Sequence, residues 1–340
     1  MAVPGRVASG PRPAVHLEDT VFKLVCISNL RCAVILLAVV GLLGTGTAPI
    51  AAQDQVDSAF SDTLIRDLGY PEITITVGPD GVDAPDTLAS GYYVVTFGAT
   101  GEYVGYLDFM QPPAGLDEAT ATQLALDAGS NDLVQPDWVY AGGGNTFELG
   151  VPISFIIFLE PGEYQIAASY YIPNEGSEEI MLLLPLTVTA AATPAVNSAA
   201  AATPLTATEP PATVTLEMTD DLRYIVGPDP VPAGPQLWKL TNTGTVHSHH
   251  VVMSAIPNGI TDEEIVTDVA ALFSGTPPAT EPLFAQFTGV GYAALQSGGQ
   301  TTWVEFDLPP GAYVVYCFII DPMTGVPHIL DGMVTVFTVA

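Results

Sequence analysis

Positive charge is what this 340-residue sequence has least of: 7 lysines and arginines stand against 37 aspartates and glutamates. Beyond residue 52 only Arg66, Arg223 and Lys239 remain to face 35 acids. Nucleic acid is thereby excluded as an expected partner, because phosphate binding needs a basic face. An acidic surface keeps an exported protein soluble and can steer a basic protein partner. Cysteine is scarce as well, with Cys26 and Cys32 near the N-terminus and Cys317 alone thereafter. A lone thiol cannot close an internal disulfide, so it is an intermolecular bridge, a reactive group, a metal ligand or a small buried hydrophobe. Histidine is nearly as rare: beyond residue 52 there are only His247, His249, His250 and His328. The sequence carries no Gly-x-Ser-x-Gly, His-Glu-x-x-His, phosphate loop or paired-cysteine zinc motif, so the common hydrolase and nucleotide chemistries have no foothold.

The apolar run from Cys32 to Leu43 is too short for an ordinary membrane span. Lys23 and Arg31 precede it, and a small-residue segment ending Ala51-Ala52-Gln53 follows. Residues 1–52 are therefore expected to be a signal peptide cleaved after Ala52. The mature protein is expected to be secreted, extracellular or periplasmic, and to touch a membrane only if the leader stays uncleaved. Neither Cys26 nor Cys32 follows the run, which argues against a lipid-modified cysteine after cleavage.

Residues 191–212 form an Ala/Thr/Pro tract without an apolar period, expected to be a flexible linker. It separates residues 54–190 from residues 213–340, each of single-domain size. The two segments resemble each other. Leu159-Glu160-Pro161-Gly162-Glu163-Tyr164 matches Leu308-Pro309-Pro310-Gly311-Ala312-Tyr313, and Pro113-Ala114-Gly115 matches Pro257-Asn258-Gly259. Both pairs keep their order and nearly their separation, which points to an internal duplication. A step back of 149 residues sets Ala168 opposite Cys317, Glu179 opposite His328 and Leu184 opposite Met333. The first segment has neither His nor Cys, so it is expected to lack whatever chemistry the second performs.

Runs rich in Val, Tyr, Phe, Trp and Thr, separated by Pro and Gly clusters, predict strands over 213–218, 236–241, 249–256, 301–308, 312–319 and 333–339. Trp303, Glu305 and Asp307 alternate with Val304, Phe306 and Leu308, the pattern of a half-buried antiparallel strand. Thr261 and Glu264 form a capping box that opens one helix. The fold class is all-β, two small sandwiches joined by the linker.

The chemistry-bearing residues lie in the second segment. His247-Ser248-His249-His250 precedes Val251-Val252-Met253, and Gly311-Ala312-Tyr313-Val314-Val315-Tyr316-Cys317 is followed by His328 and Met333. One Cys, two His and a distant Met is the donor set of a blue-copper electron-transfer site. The order Gly-x-Tyr-x-x-Tyr-Cys, His-x-x-x-x-Met, then a terminal Val-x-Val strand resembles the copper-binding end of plastocyanin-like cupredoxins. The resemblance implies a Greek-key fold, one copper ion, no catalytic turnover and a redox protein as partner. It also implies His249, Cys317, His328 and Met333 as ligands, with His247 and His250 as rivals to His249. The step of eleven from Cys317 to His328 departs from small cupredoxins. Asp321-Pro322-Met323-Thr324-Gly325 in that loop reads as a turn that returns the chain to position, and Met323 there is a rival thioether. A metal-free extracellular binding or adhesion module is the alternative. A multicopper oxidase or nitrite reductase ranks below both, because such enzymes need further histidine pairs.

Overall fold

Strand alternation is visible at once in β10 (Val214–Met218), which buries Val214, Leu216 and Met218 and exposes Thr215 and Glu217. The computed structural model describes residues 62–131, 134–135, 137–173, 179–191, 208–274 and 282–340. The expected signal peptide and residues 192–207 of the expected linker lie outside them.

In the first repeat the strands are β1 (Glu72–Gly78), β2 (Gly81–Asp83), β3 (Thr87–Ala89), β4 (Gly91–Ala99), β5 (Val104–Gln111), β6 (Val139–Asn145), β7 (Ile153–Leu159), β8 (Gly162–Tyr171) and β9 (Ile180–Thr189). The second repeat continues from β10 with β11 (Tyr224–Gly227), β12 (Gly234–Asn242), β13 (His249–Ile256), β14 (Thr288–Gln296), β15 (Thr301–Leu308), β16 (Gly311–Tyr316) and β17 (Val334–Val339). Among the described residues three α-helices accompany them, α1 (Thr63–Asp67), α2 (Glu118–Asn131) and α3 (Asp262–Phe273). Thr261 and Glu264 cap α3 reciprocally, as the sequence predicts.

Every strand of the second repeat has a counterpart in the first, and β3 is the addition. One sheet runs β11-β10-β12-β15-β7-β4-β1-β2, the other β17-β16-β13-β14-β6-β5-β8-β9-β3. Each repeat crosses between the sheets in the Greek-key manner. The duplication extends to single hydrogen bonds: Tyr164 Oη donates to the Glu160 carbonyl (3.1 Å), and Tyr313 Oη donates to the Pro309 carbonyl (2.8 Å).

The two sandwiches do not hang apart on a tether. β15 pairs antiparallel with β7, Val304 facing Phe155, and β14 meets β6 at Gln296 and Ala141. Both sheets therefore run unbroken through the two repeats. A glycine in β6 permits this approach, since a Cβ on Gly142 would fall 2.4 Å from Thr302 Oγ1 of the second repeat.

One expected pattern is corrected. Trp303 and Glu305 are buried, although the alternation places them on the solvent face. The cause is α1, whose Leu64 and Ile65 amides donate to Glu305 Oε2 (2.8 and 3.1 Å). A carboxylate from the second repeat thus answers the unpaired amides of a helix start in the first.

Candidate metal centre

The site forms where β13, β16 and the start of β17 converge. His249 is the first residue of β13, and alternation sends it inward while His250 goes to the other face. Cys317 follows β16 directly. Its amide donates to the Met333 carbonyl (3.2 Å), and its carbonyl accepts from Ile329 (2.8 Å). The intervening loop folds on itself as a small hairpin. Asp321 N–H bonds Val326 O (3.0 Å), His328 N–H bonds Ile319 O (2.9 Å), and Asp321 Oδ1 accepts from Met323 and Thr324 (2.6 and 3.1 Å). The long insertion is a closed excursion that delivers His328 back to Cys317, as its turn residues predict. A 3₁₀ turn over His328–Asp331 then ends at Gly332, whose φ of 96° returns the chain to β17. Met333 N–H bonds the His328 carbonyl (2.9 Å).

His249, Cys317, His328 and Met333 are all buried. His249 Nδ1 stands 3.2 Å from His328 Nδ1, and His328 Nδ1 stands 3.6 Å from Cys317 Sγ. One donor atom from each of these three residues lies within 4.8 Å of the others. Metal bonds of about 2.0 Å to imidazole and 2.3 Å to thiolate put tetrahedral donors roughly 3.3 and 3.6 Å apart. The spacings observed are close to those a transition metal requires, so the donor set fits one by chemistry and by size. Met333 belongs to the same buried cluster as Cys317.

The rivals are placed elsewhere. His250 Nε2 accepts the Phe318 amide (2.8 Å) and faces Tyr292. Met323 is 89% exposed at the tip of the hairpin. His247 stays near, its ring centroid 5.4 Å from that of His328, and with His328 and Asp321 it forms a second donor group.

Electrostatics favour neutral ligands. Burial, then the neighbouring His328 and His247, lowers His249 to about 3. Burial and His247 lower His328 to about 4, against the opposing pull of Asp321. Both imidazoles therefore keep free lone pairs at neutral pH. Burial pushes the Cys317 thiol up to about 12, offset in part by the His250 and Ile319 amides. The Tyr224 hydroxyl donates instead to the His250 carbonyl (2.5 Å). The sulfur gives up its proton when a cation compensates the charge.

Several positioning groups carry no motif in the sequence. Asp220 accepts from the amides of Thr245, Val246 and His247, while Asn242 Nδ2 donates to the His247 and Gln296 carbonyls. Arg223 Nη1 donates to the Asp331 and Gly332 carbonyls (3.3 and 2.8 Å) at the ligand loop. Only the turn chemistry of Thr219-Asp220-Asp221 signals any of these from the sequence.

In the first repeat the same place is closed. Strand register sets Gly105 where His249 stands and Ala168 where Cys317 stands. A Cβ on Gly105 would fall 2.4 Å from the Ser169 carbonyl oxygen, so no ligand side chain fits there.

A Greek-key sandwich with a His opening one strand, and with Cys, His and Met around its last hairpin, is cupredoxin-like, and the second repeat is of this kind. The chain matches no family model and no curated protein. Among solved structures it is similar to a dithionite-reduced auracyanin from Roseiflexus castenholzii, with 24% identity over 37% of this chain and 94% of that one and a TM-score of 0.25. Auracyanin A, a blue copper protein from Chloroflexus aurantiacus, gives 19% identity over 37% and 98%, with a TM-score of 0.25. A multicopper oxidase gives 14% identity over 79% of this chain and 88% of that one, with a TM-score of 0.21. At these values the function has to be argued from the residues of the site.

Proposed function

We propose that this chain is an exported mononuclear copper protein that transfers electrons or carries copper, holding one ion through His249, Cys317, His328 and Met333. The observation that carries this reading is the buried convergence of two imidazole nitrogens and one thiol at metal-ligand separations. Copper bound there supplies a one-electron couple, stabilised as Cu(I) by the soft thiolate.

This chain's own residues do the rest. The rigid ends of β13 and β16 fix His249 and Cys317, and the closed hairpin fixes His328, so the donors need not move between oxidation states. Burial of all four excludes water and keeps the imidazoles unprotonated. Amide donors on the Cys317 sulfur withdraw charge from it, which favours the reduced state. Beyond residue 52 four histidines are too few for this site and a multinuclear oxidase centre besides, so no turnover is proposed. Export rests on the leader pattern of residues 1–52, and a basic redox protein as partner rests on the acidic surface.

The test is a visible spectrum of the full chain titrated with Cu(II). An intense thiolate-to-copper band that saturates at one equivalent and vanishes in Cys317→Ser supports the reading. A colourless protein whose Cys317 still titrates as a free thiol would sink it and favour the metal-free module.

A further inference from the structure

His328 belongs to two donor groups. Its Nδ1 faces His249 and Cys317, whereas its Nε2 is buried and has no hydrogen-bond partner. The second group is His247, Asp321 and His328, with one donor atom from each lying within 4.8 Å of the others. We propose that this group is a second cation site, in which His328 bridges the copper ligands to a borderline divalent ion held by His247 and Asp321.

The arrangement is built rather than incidental. The His247 amide donates to Asp220 Oδ1 (3.3 Å) and its carbonyl accepts from Asn242 Nδ2 (2.8 Å), which fixes the backbone that carries the ring. The Asp321 side chain is 8% exposed, and its Oδ1 is held by two amides of the hairpin. Its Oδ2 is left 3.8 Å from His247 Nδ1. The His247 side chain is 21% exposed, which gives an ion a way in and the ring room to close the remaining distance.

Two imidazoles and one carboxylate with an open fourth position suit Zn(II) or Cu(II). An all-oxygen cation such as Ca(II) or Mg(II) lacks its ligands here. Binding at Nε2 displaces the N–H proton of His328 to solvent and leaves a bridging imidazolate. The proposal rests on the copper reading only in assigning Nδ1 of His328 to the first group.

The test is native mass spectrometry of the full chain after equilibrium dialysis against Zn(II) with a weak chelator, which strips ions held by surface carboxylates. Wild type is expected to retain two ions and Asp321→Asn one. Asn at this position keeps an oxygen for the Met323 and Thr324 amides, so the hairpin is preserved. His247→Gln is expected to match Asp321→Asn, and both variants should keep the Cys317-dependent copper band. Zinc added to the copper-loaded protein should shift that band in wild type and not in Asp321→Asn. Equal zinc retention in wild type, Asp321→Asn and His247→Gln overturns the proposal and leaves Asp321 and His247 as a cover over the site. Failure of the copper reading shows separately, as a missing copper band with zinc retention unchanged in Cys317→Ser. A zinc ion lost on Asp321→Asn in that background would still support the second site.

Discussion

Mild acid should unfold the metal-free protein through two buried imidazoles. His249 is held near 3 by burial, His328 and His247, and His328 near 4 by burial and His247, whereas an unfolded histidine titrates near 6.5. As pH falls through 6.5 the unfolded chain takes up two protons that the native state refuses, so stability falls with pH across this window. Each unit is worth about 1.4 kcal/mol per group. Between pH 6.5 and pH 4 the two together cost roughly 6 kcal/mol, comparable with the whole stability of a typical domain. The assay is urea unfolding of the metal-free wild type and of the His249→Gln/His328→Gln double variant, at pH 7 and pH 4.5. Carboxylate protonation contributes to both proteins and cancels in the comparison. Wild type should lose several kcal/mol more than the variant. An equal loss in both proteins would refute the argument that these rings are buried neutral in the native state.

Two further outcomes are expected. Tyr224→Phe removes the hydroxyl that donates to the His250 carbonyl (2.5 Å), leaves that buried acceptor unpaired, and should cost about 1–3 kcal/mol by urea unfolding. Glu305→Ala strands the amides of Leu64 and Ile65, and should cost about 1–3 kcal/mol by urea unfolding, whereas Glu305→Gln, which keeps an acceptor oxygen, should cost less.

Much of the fold is legible in the sequence because local rules determine it. The strands at 249–256 and 301–308 have the ends that β-branched and aromatic runs bounded by Pro and Gly predict. β14 escapes such a reading because Gly289 and Gly291 break its pattern. Gly291 is needed there, as a Cβ would fall 2.6 Å from the Phe306 ring. The burial of Glu305 is invisible for a different reason: its partners lie 240 and 241 residues away. At the site, residue order brings Cys317, His328 and Met333 forward, and strand alternation separates His249 from His250. Which of those two faces inward depends on the register between β13 and β16, and a one-residue slip would exchange them. The roles of Asp220, Asn242 and Tyr224 arise from tertiary approach and have no local period to betray them.

The junction between the repeats has a symmetry of its own. By the 149-residue offset Val304 corresponds to Phe155, and these are the residues that face each other across β15 and β7. Each repeat therefore offers the same edge to the other, as the two subunits of a twofold dimer do. Fusing such a dimer into one chain frees one copy from the need to keep the donor residues, and it shields the other's open edge. Released by itself, the second repeat would expose β14 and β15 as unpaired strands, an invitation to pair with another copy. Val304 would then lie opposite Val304, and the homodimer so formed would hold two copies of the His249, Cys317 and His328 donor group where the fused chain holds one.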